Sequence, residues 1–261
     1  MSGDEQTIYM VYYKIMIIFL LLFIAHCLAD YYLQRHSWIM DKVARHERSV
    51  GLLYHMLTHV LLTGATLFWL VGFNGSWFML WIWILIIGTH YLIDIWKTYQ
   101  TFTLPYYLAD QIGHIVVLIL ATYLLINSHV IPDSSYTFLL EHQAIIIWSA
   151  ALVFLANPMA ITIMVILMPL REQMHRKDTS IAVSPSNEGH YIGILERTIV
   201  LFSVGTGQYV IPVLLFIGKL FVRLREEKVI AKPLHRQYVI FGTSLSMISA
   251  LLVAMWVSTS T

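Results

Sequence analysis

A chain of 261 residues that is 58% hydrophobic and only 12% charged, with a mean hydropathy of +0.71, is too apolar for an ordinary soluble domain. It reads as an all-α polytopic membrane protein. The formal charge of +1 gives no general reason to expect a nucleic-acid partner, and the single cysteine, Cys27, excludes an intrachain disulfide.

Apolar runs long enough to cross a hydrocarbon layer of ~30 Å are predicted near 10–32, 50–71, 77–97, 107–129, 143–169 and 237–257. A seventh run, 192–221, is ambiguous. The first run has no small-x-small cleavage site, and His26 precedes Cys27 where a lipoprotein signal needs a small residue, so it reads as a retained helix. Gly72 to Ser76 joins the second and third runs tightly, and Pro105 precedes the fourth. The polar stretch 171–190, with Ser184-Pro185-Ser186-Asn187, is the predicted linker. The expected organisation is a four-span bundle over 1–130, followed over 131–261 by further membrane helices.

Basic residues in short connections set orientation. Arg35, Lys42, Arg45 and Arg48 fill the first connection, while the second and fourth hold neither Lys nor Arg. The amino terminus is therefore expected outside, and the linker with Arg171, Arg176 and Lys177 inside. Lys219, Arg223, Arg225, Lys228, Lys232 and Arg236 then leave two alternatives for 192–221: a re-entrant or interfacial hairpin turning near Gly205-Thr206-Gly207, or a plain seventh span.

Four pairs spaced four apart stand in or against the first four spans: His26/Asp30, His55/His59, His90/Asp94 and Asp110/His114. That spacing puts both members of a pair on one helix face. Asp30 lies five residues before Arg35, Asp94 three before Lys97, His55 five after Val50 and Asp110 five after Pro105, so all pairs fall near one membrane face. His26 to His90 and Asp30 to Asp94 are steps of 64 positions, and His55 to Asp110 and His59 to His114 are steps of 55. Two repeated hairpins are implied, meeting in a four-helix bundle.

Imidazole and carboxylate suit zinc, or manganese or iron, and eight such residues suffice for one or two divalent ions with a position left for water. Gln34, Lys97 and Gln111 lie close enough in sequence to support the ligands or orient an anion. A proton-relay network is the competing reading of the same residues. Glu196 and Arg197 are expected to form an interfacial ion pair, with a substrate gate or an anionic headgroup contact as the sharper alternative. Trp77, Trp81, Trp83, Tyr106 and Tyr107 read as interfacial anchors. His36, His46, His142, His175, His190 and His235 have no His, Asp or Glu four residues away and are left outside the set.

On His26-x-x-x-Asp30 leading to Gln34 and Lys42, His55-x-x-x-His59, His90-x-x-x-Asp94-x-x-Lys97 and Asp110-Gln111-x-x-His114, the chain resembles a prokaryotic membrane-protein family of unknown function. That family is often labelled membrane-bound metal-dependent hydrolase. The resemblance extends to Glu196-Arg197, Gly207-Gln208-Tyr209, Lys219 and Gly242-Thr243-x-x-Ser246. It implies a metal-dependent enzyme integral to a prokaryotic cytoplasmic membrane. A weaker likeness to the helical zinc phospholipase C and nuclease class covers chemistry and not fold.

No His-Glu-x-x-His peptidase motif, Gly-x-Ser-x-Gly elbow or phosphate-binding glycine loop competes. The expected activity is hydrolysis of a phosphate ester on a membrane lipid or lipid-linked molecule at the cytoplasmic face. No residue is singled out as a nucleophile or general base. The alternatives are a metal-ion or proton transporter and a metal-stabilised signalling subunit.

Overall fold

The computed structural model describes residues 3–72, 77–177, 187–225 and 232–261. Phe73 to Ser76 of the predicted tight turn, residues 178–186 of the predicted linker, and Lys228 lie outside the described residues. Among the described residues the chain is helical without strands. The order is α1 (Gly3–Leu28), a π-helical turn (Ala29–Leu33), α2 (His36–Arg45), a short 3₁₀ turn (His46–Arg48), α3 (Val50–Val71), α4 (Trp77–Thr98), α5 (Leu104–Asn127) and α6 (Asp133–Glu141). There follow α7 (Gln143–Lys177), α8 (Asn187–Gly205), α9 (Val210–Leu224) and α10 (Pro233–Ser260). Six helical segments are long and apolar enough to cross a membrane: Met10–Leu33, α3, α4, α5, α7 and α10.

The chain divides into two compact units, Met1–Ala150 and Ala151–Thr261, with the division inside α7 rather than near residue 130. In the first unit α1 packs against α3 and α5, and α4 packs against the same two helices, so the four spans close into a bundle. Its polarity is inverted relative to a water-soluble bundle. His55 and His59 are 1% exposed and Asp110 0%, while Leu53 and Leu92 are each 65% exposed. An apolar exterior around a polar interior suits lipid as the surrounding solvent.

The connection between the first two spans is a structured element. Ser49 caps α3 by accepting from Leu52 N–H at 2.9 Å. Asp41 of α2 accepts from Ser49 Oγ at 2.6 Å and from Gly51 N–H at 2.8 Å, fastening α2 to the start of α3. These two hydrogen bonds, with Arg45 beside them, hold the Asp41 carboxyl below the usual aspartate range. Gly51 is needed because a Cβ there would sit 2.7 Å from Trp38 Cα and 2.8 Å from Trp38 O. The following turn is tied to the end of α4, where Tyr99 Oη donates to Glu47 at 2.7 Å and the His46 and Tyr99 rings stack at 4.1 Å.

One expectation needs correction. The linker predicted from residue 171 begins as helix, because α7 continues through Pro169 to Lys177. Its last turn holds His175, Arg176 and Lys177, where cations complement the helix dipole, and their polarity misled the sequence reading. Of the two alternatives for 192–221, the one with a turn near Gly205-Thr206-Gly207 matches the helix break. Gly207, at φ +79°, donates to Val204 O at 2.9 Å, and Gln208 N–H reaches Ser203 O at 2.6 Å. This pair of bonds is a Schellman ending for α8, after which α9 starts afresh. In the second unit α8 and α9 pack on each other and both pack on α10.

Candidate metal centre

Asp30 is the hub of the buried cluster. It stands in the π-helical turn Ala29–Leu33, where one extra residue per turn re-aims side chains at the end of α1. Asp30 Oδ1 lies 2.7 Å from His59 Nε2, 3.3 Å from His55 Nε2 and 3.7 Å from His90 Nε2. Its other oxygen is 3.4 Å from His26 Nε2. One carboxylate from α1 therefore meets imidazoles from three spans.

Asp94 of α4 accepts from the Lys42 ammonium at 2.7 Å and lies 3.2 Å from His55 Nε2. His55 and His90 meet through their Nε2 atoms at 3.2 Å. Asp110 of α5 is held on one oxygen by Lys97 Nζ and by Gln111 Nε2, the latter at 2.8 Å. Its other oxygen is 3.7 Å from His114 Nδ1 and has no hydrogen-bond partner. His114 is packed 4.3 Å from the His90 ring and 4.9 Å from the His26 ring, centroid to centroid.

All eight pair residues thus come together in the interior of one bundle. Their ligand atoms form three overlapping groups, each within 4.8 Å: His26, Asp30, His59 and His90; His55, His90 and Asp94; and Asp94, Asp110 and His114. The donor set fits a divalent first-row ion, being imidazole and carboxylate without sulfur. Both ring nitrogens of His114 and Nδ1 of His55 are buried without hydrogen bonds.

The polar residues expected around the ligands fall into three places. Lys97 and Gln111 touch Asp110 directly. Gln34 follows the π turn, with its Nε2 buried and unbonded. Glu196 and Arg197 belong to the second unit and do not pair with each other: adjacent helical residues point about 100° apart. Glu196 pairs with Lys219, while Arg197 donates to Leu155 O at 2.6 Å, Ala156 O at 3.1 Å and Ser246 Oγ at 3.2 Å. Those carbonyls lie within one turn before Pro158, a proline inside α7.

Two site residues escaped the sequence reading of the pairs. Lys42 is taken there as a topology signal, although the resemblance includes it. It stands four residues after Trp38, which packs on Tyr54 of α3, and that helical spacing is the signal that it turns inward. Tyr31 donates to Gln111 Oε1 at 2.5 Å and lies 3.4 Å from Tyr107 Oη, linking α1 to α5. Tyr107, expected as an interfacial anchor, is buried at that junction.

No curated protein and no solved structure matches the chain. Residues 18–138, which carry all eight clustered residues but not Glu196 or Arg197, match the model of a family described as "Protein of unknown function (DUF3307)".

Proposed function

We propose that the first unit is a membrane-embedded metal-dependent phosphohydrolase acting on a lipid or lipid-linked phosphate ester. The observation that carries this reading is the convergence of His26, Asp30, His59 and His90 within one 4.8 Å group, with Lys42 buried beside the cluster and Lys97 at its edge. A hydrolase needs a Lewis acid and a means of holding the anionic substrate, and both requirements find candidates in one cluster.

The charges favour a single ion. Three aspartates face two ammonium groups, leaving one net negative charge when the imidazoles are neutral. Lys42 and Lys97 both bear on the second hairpin's carboxylates, whereas Asp30 has only histidine partners among its ion pairs. The ammonium groups therefore take the place of a second cation in the repeat. His26, Asp30, His59 and His90 would hold the ion, zinc foremost and manganese or iron next.

A divalent ion supplies Lewis acidity for phosphoryl transfer to water. Lys97, whose side chain is 37% exposed while Asp110 beneath it is 0%, stands at the mouth of the cluster and would receive the substrate phosphate. Lys42 would hold Asp94 in place. The basic first connection lies at this end of the bundle, and the rule that basic loops stay inside supports a cytoplasmic site level with lipid headgroups.

The far halves of these spans favour an enzyme over a transporter. Lys14 is the charged residue in that region, and it is engaged 4.3 Å over the Tyr136 ring rather than in a continuing polar path. The test is metal analysis of the purified chain joined to a screen for phosphate or phosphorylated headgroup released from lipids. Release that chelator abolishes is expected. Free fatty acid as the product, with phosphate esters intact, would make it an acyl hydrolase; proton-coupled metal flux in proteoliposomes without lipid turnover would make it a transporter.

A further inference from the structure

We infer that α2 is a membrane-contact helix whose outer face is seated in the lipid leaflet, so that the bilayer covers the element that delivers Lys42 to the buried cluster. Trp38, Asp41 and Lys42 form its inner face: Trp38 packs on Tyr54, Asp41 accepts from Ser49 and Gly51, and Lys42 reaches Asp94. At about 100° per residue, Ile39, Met40 and Val43 fall on the opposite side. They are 39%, 57% and 56% exposed. His36, in the first turn, is the polar residue on that face. The helix is therefore inverted relative to one in water, with its charged side inward and its apolar side out.

What covers an outward apolar stripe depends on its depth. Gln34 and Arg35 alone separate α2 from the end of the candidate span Met10–Leu33, and residues 46–49 separate it from the start of α3. Connections that short keep the helix at the interface. It is also packed beside turns that belong to the spans themselves. Trp38 stands against Gly51 and Tyr54 at the start of α3, and Lys42 meets Asp94, four residues before the end of α4.

At the same level α3 turns Leu53 and Tyr54 outward, 65% and 50% exposed. The stripe on α2 thus continues the apolar exterior that suits the bundle to lipid. Helices lying in the interface plane bury such a face at the boundary between headgroups and acyl chains. Arg35 and Arg48, exposed on either flank, fit the headgroup level, where long cationic side chains reach water. With lipid on one side of α2 and the cluster on the other, the leaflet becomes part of what seats Lys42.

The experiment is a spin-label scan of the full chain in nanodiscs of phosphatidylethanolamine and phosphatidylglycerol. On a Cys27→Ala background, labels are placed singly through Ser37→Cys, Ile39→Cys, Met40→Cys, Val43→Cys and Ala44→Cys. Relaxation by oxygen, which concentrates in hydrocarbon, is compared with relaxation by a water-soluble chromium oxalate complex. Oxygen should dominate at positions 39, 40 and 43, as at Leu53→Cys on the outer face of α3. The chromium complex should gain several-fold relative to oxygen at positions 37 and 44, which are exposed on the flank of the stripe. That helical alternation is the decisive reading, because an undocked α2 would meet the chromium complex at every position. Dominance of the chromium complex at 39, 40 and 43 would overturn the inference and leave the stripe in water. Weak relaxation by both reagents there would also overturn it, marking contact with protein such as a second copy of the chain. The readout needs neither metal nor turnover, so it stands apart from the proposal for the first unit.

Discussion

Lys42 Nζ lies 2.7 Å from Asp94 Oδ2, so a residue of the connection between two spans completes a cluster built inside them. Both partners are buried, and removing one leaves the other as an uncompensated charge. Lys42→Ala should therefore destabilise the protein by roughly 3–5 kcal/mol. If the ammonium stands where a second cation would bind, added zinc or manganese should raise the Tm of Lys42→Ala more than that of the unmodified chain. Thermal unfolding in detergent with and without metal checks both points, and a variant that metal does not rescue would remove the substitution argument. Lys42→Ala combined with Asp94→Asn should be less destabilised than the sum of the single changes, because the pair acts as a unit.

The seat of α2 gives a second prediction. Gly51→Ala would drive a Cβ to within 2.7 Å of the Trp38 backbone, which has no flexible end to yield. Undocking α2 should accelerate amide exchange across residues 36–45 and lower activity together with Lys42 contact, while the spans stay protected. The Asp41 latch should also respond to pH. Its folded carboxyl titrates below the ordinary aspartate value of ~3.9, so its contribution is present above that value and lost as pH falls through the lower folded one. Asp41→Asn should remove that acid-range step. Exchange at α2 that is the same in both proteins at every pH would show that the latch does not hold the helix.

The eight paired residues and the spans were legible because spacing and hydropathy are local in sequence. A spacing of four survives in any regular helix, and a shared depth can be counted from the flanking loops. What was not legible depends on distant partners or on irregular backbone. The π turn at Ala29–Leu33, which re-aims Asp30, leaves no mark in hydropathy. Lys42 looks like a topology signal until Asp94 is seen beside it. Glu196 and Arg197 invite a local pairing that helix geometry forbids, and their partners lie 23 or more positions away. The break at Gly207 was suggested by its glycines, but its hydrogen bonds decide that α8 ends there.

Orientation is tested best at residues the fold leaves in solvent. Lys42 is buried and therefore a poor labelling site, whereas the Arg45 side chain is 64% exposed. With Cys27 replaced by Ala, Arg45→Cys should resist an impermeant thiol reagent in intact cells. Asn127→Cys, at the opposite end of α5 from Asp110, should react. Labelling at residue 45 with protection at residue 127 would reverse the topology and move the cluster to the other leaflet.

The sharpest prediction separates the two ends of the cluster. If one ion sits on His26, Asp30, His59 and His90, purified protein should hold close to one equivalent of metal. Asp30→Asn or His59→Ala should lower that content sharply, since each removes a ligand and Asp30 meets histidines of both α3 and α4. His114→Ala and Asp110→Asn should leave most of the metal in place while still lowering turnover, because Lys97 and Gln111 lose the geometry that Asp110 gives them. Metal content by mass spectrometry and lipid phosphate release, read on the same preparations, distinguish the two groups. Two equivalents in the unmodified chain, lost equally in all four variants, would restore the paired site implied by the repeat. Protein that stays metal-free after reconstitution with zinc, manganese and iron would leave the cluster as a buried network of imidazole, carboxylate and ammonium, and the proton-relay reading would take its place.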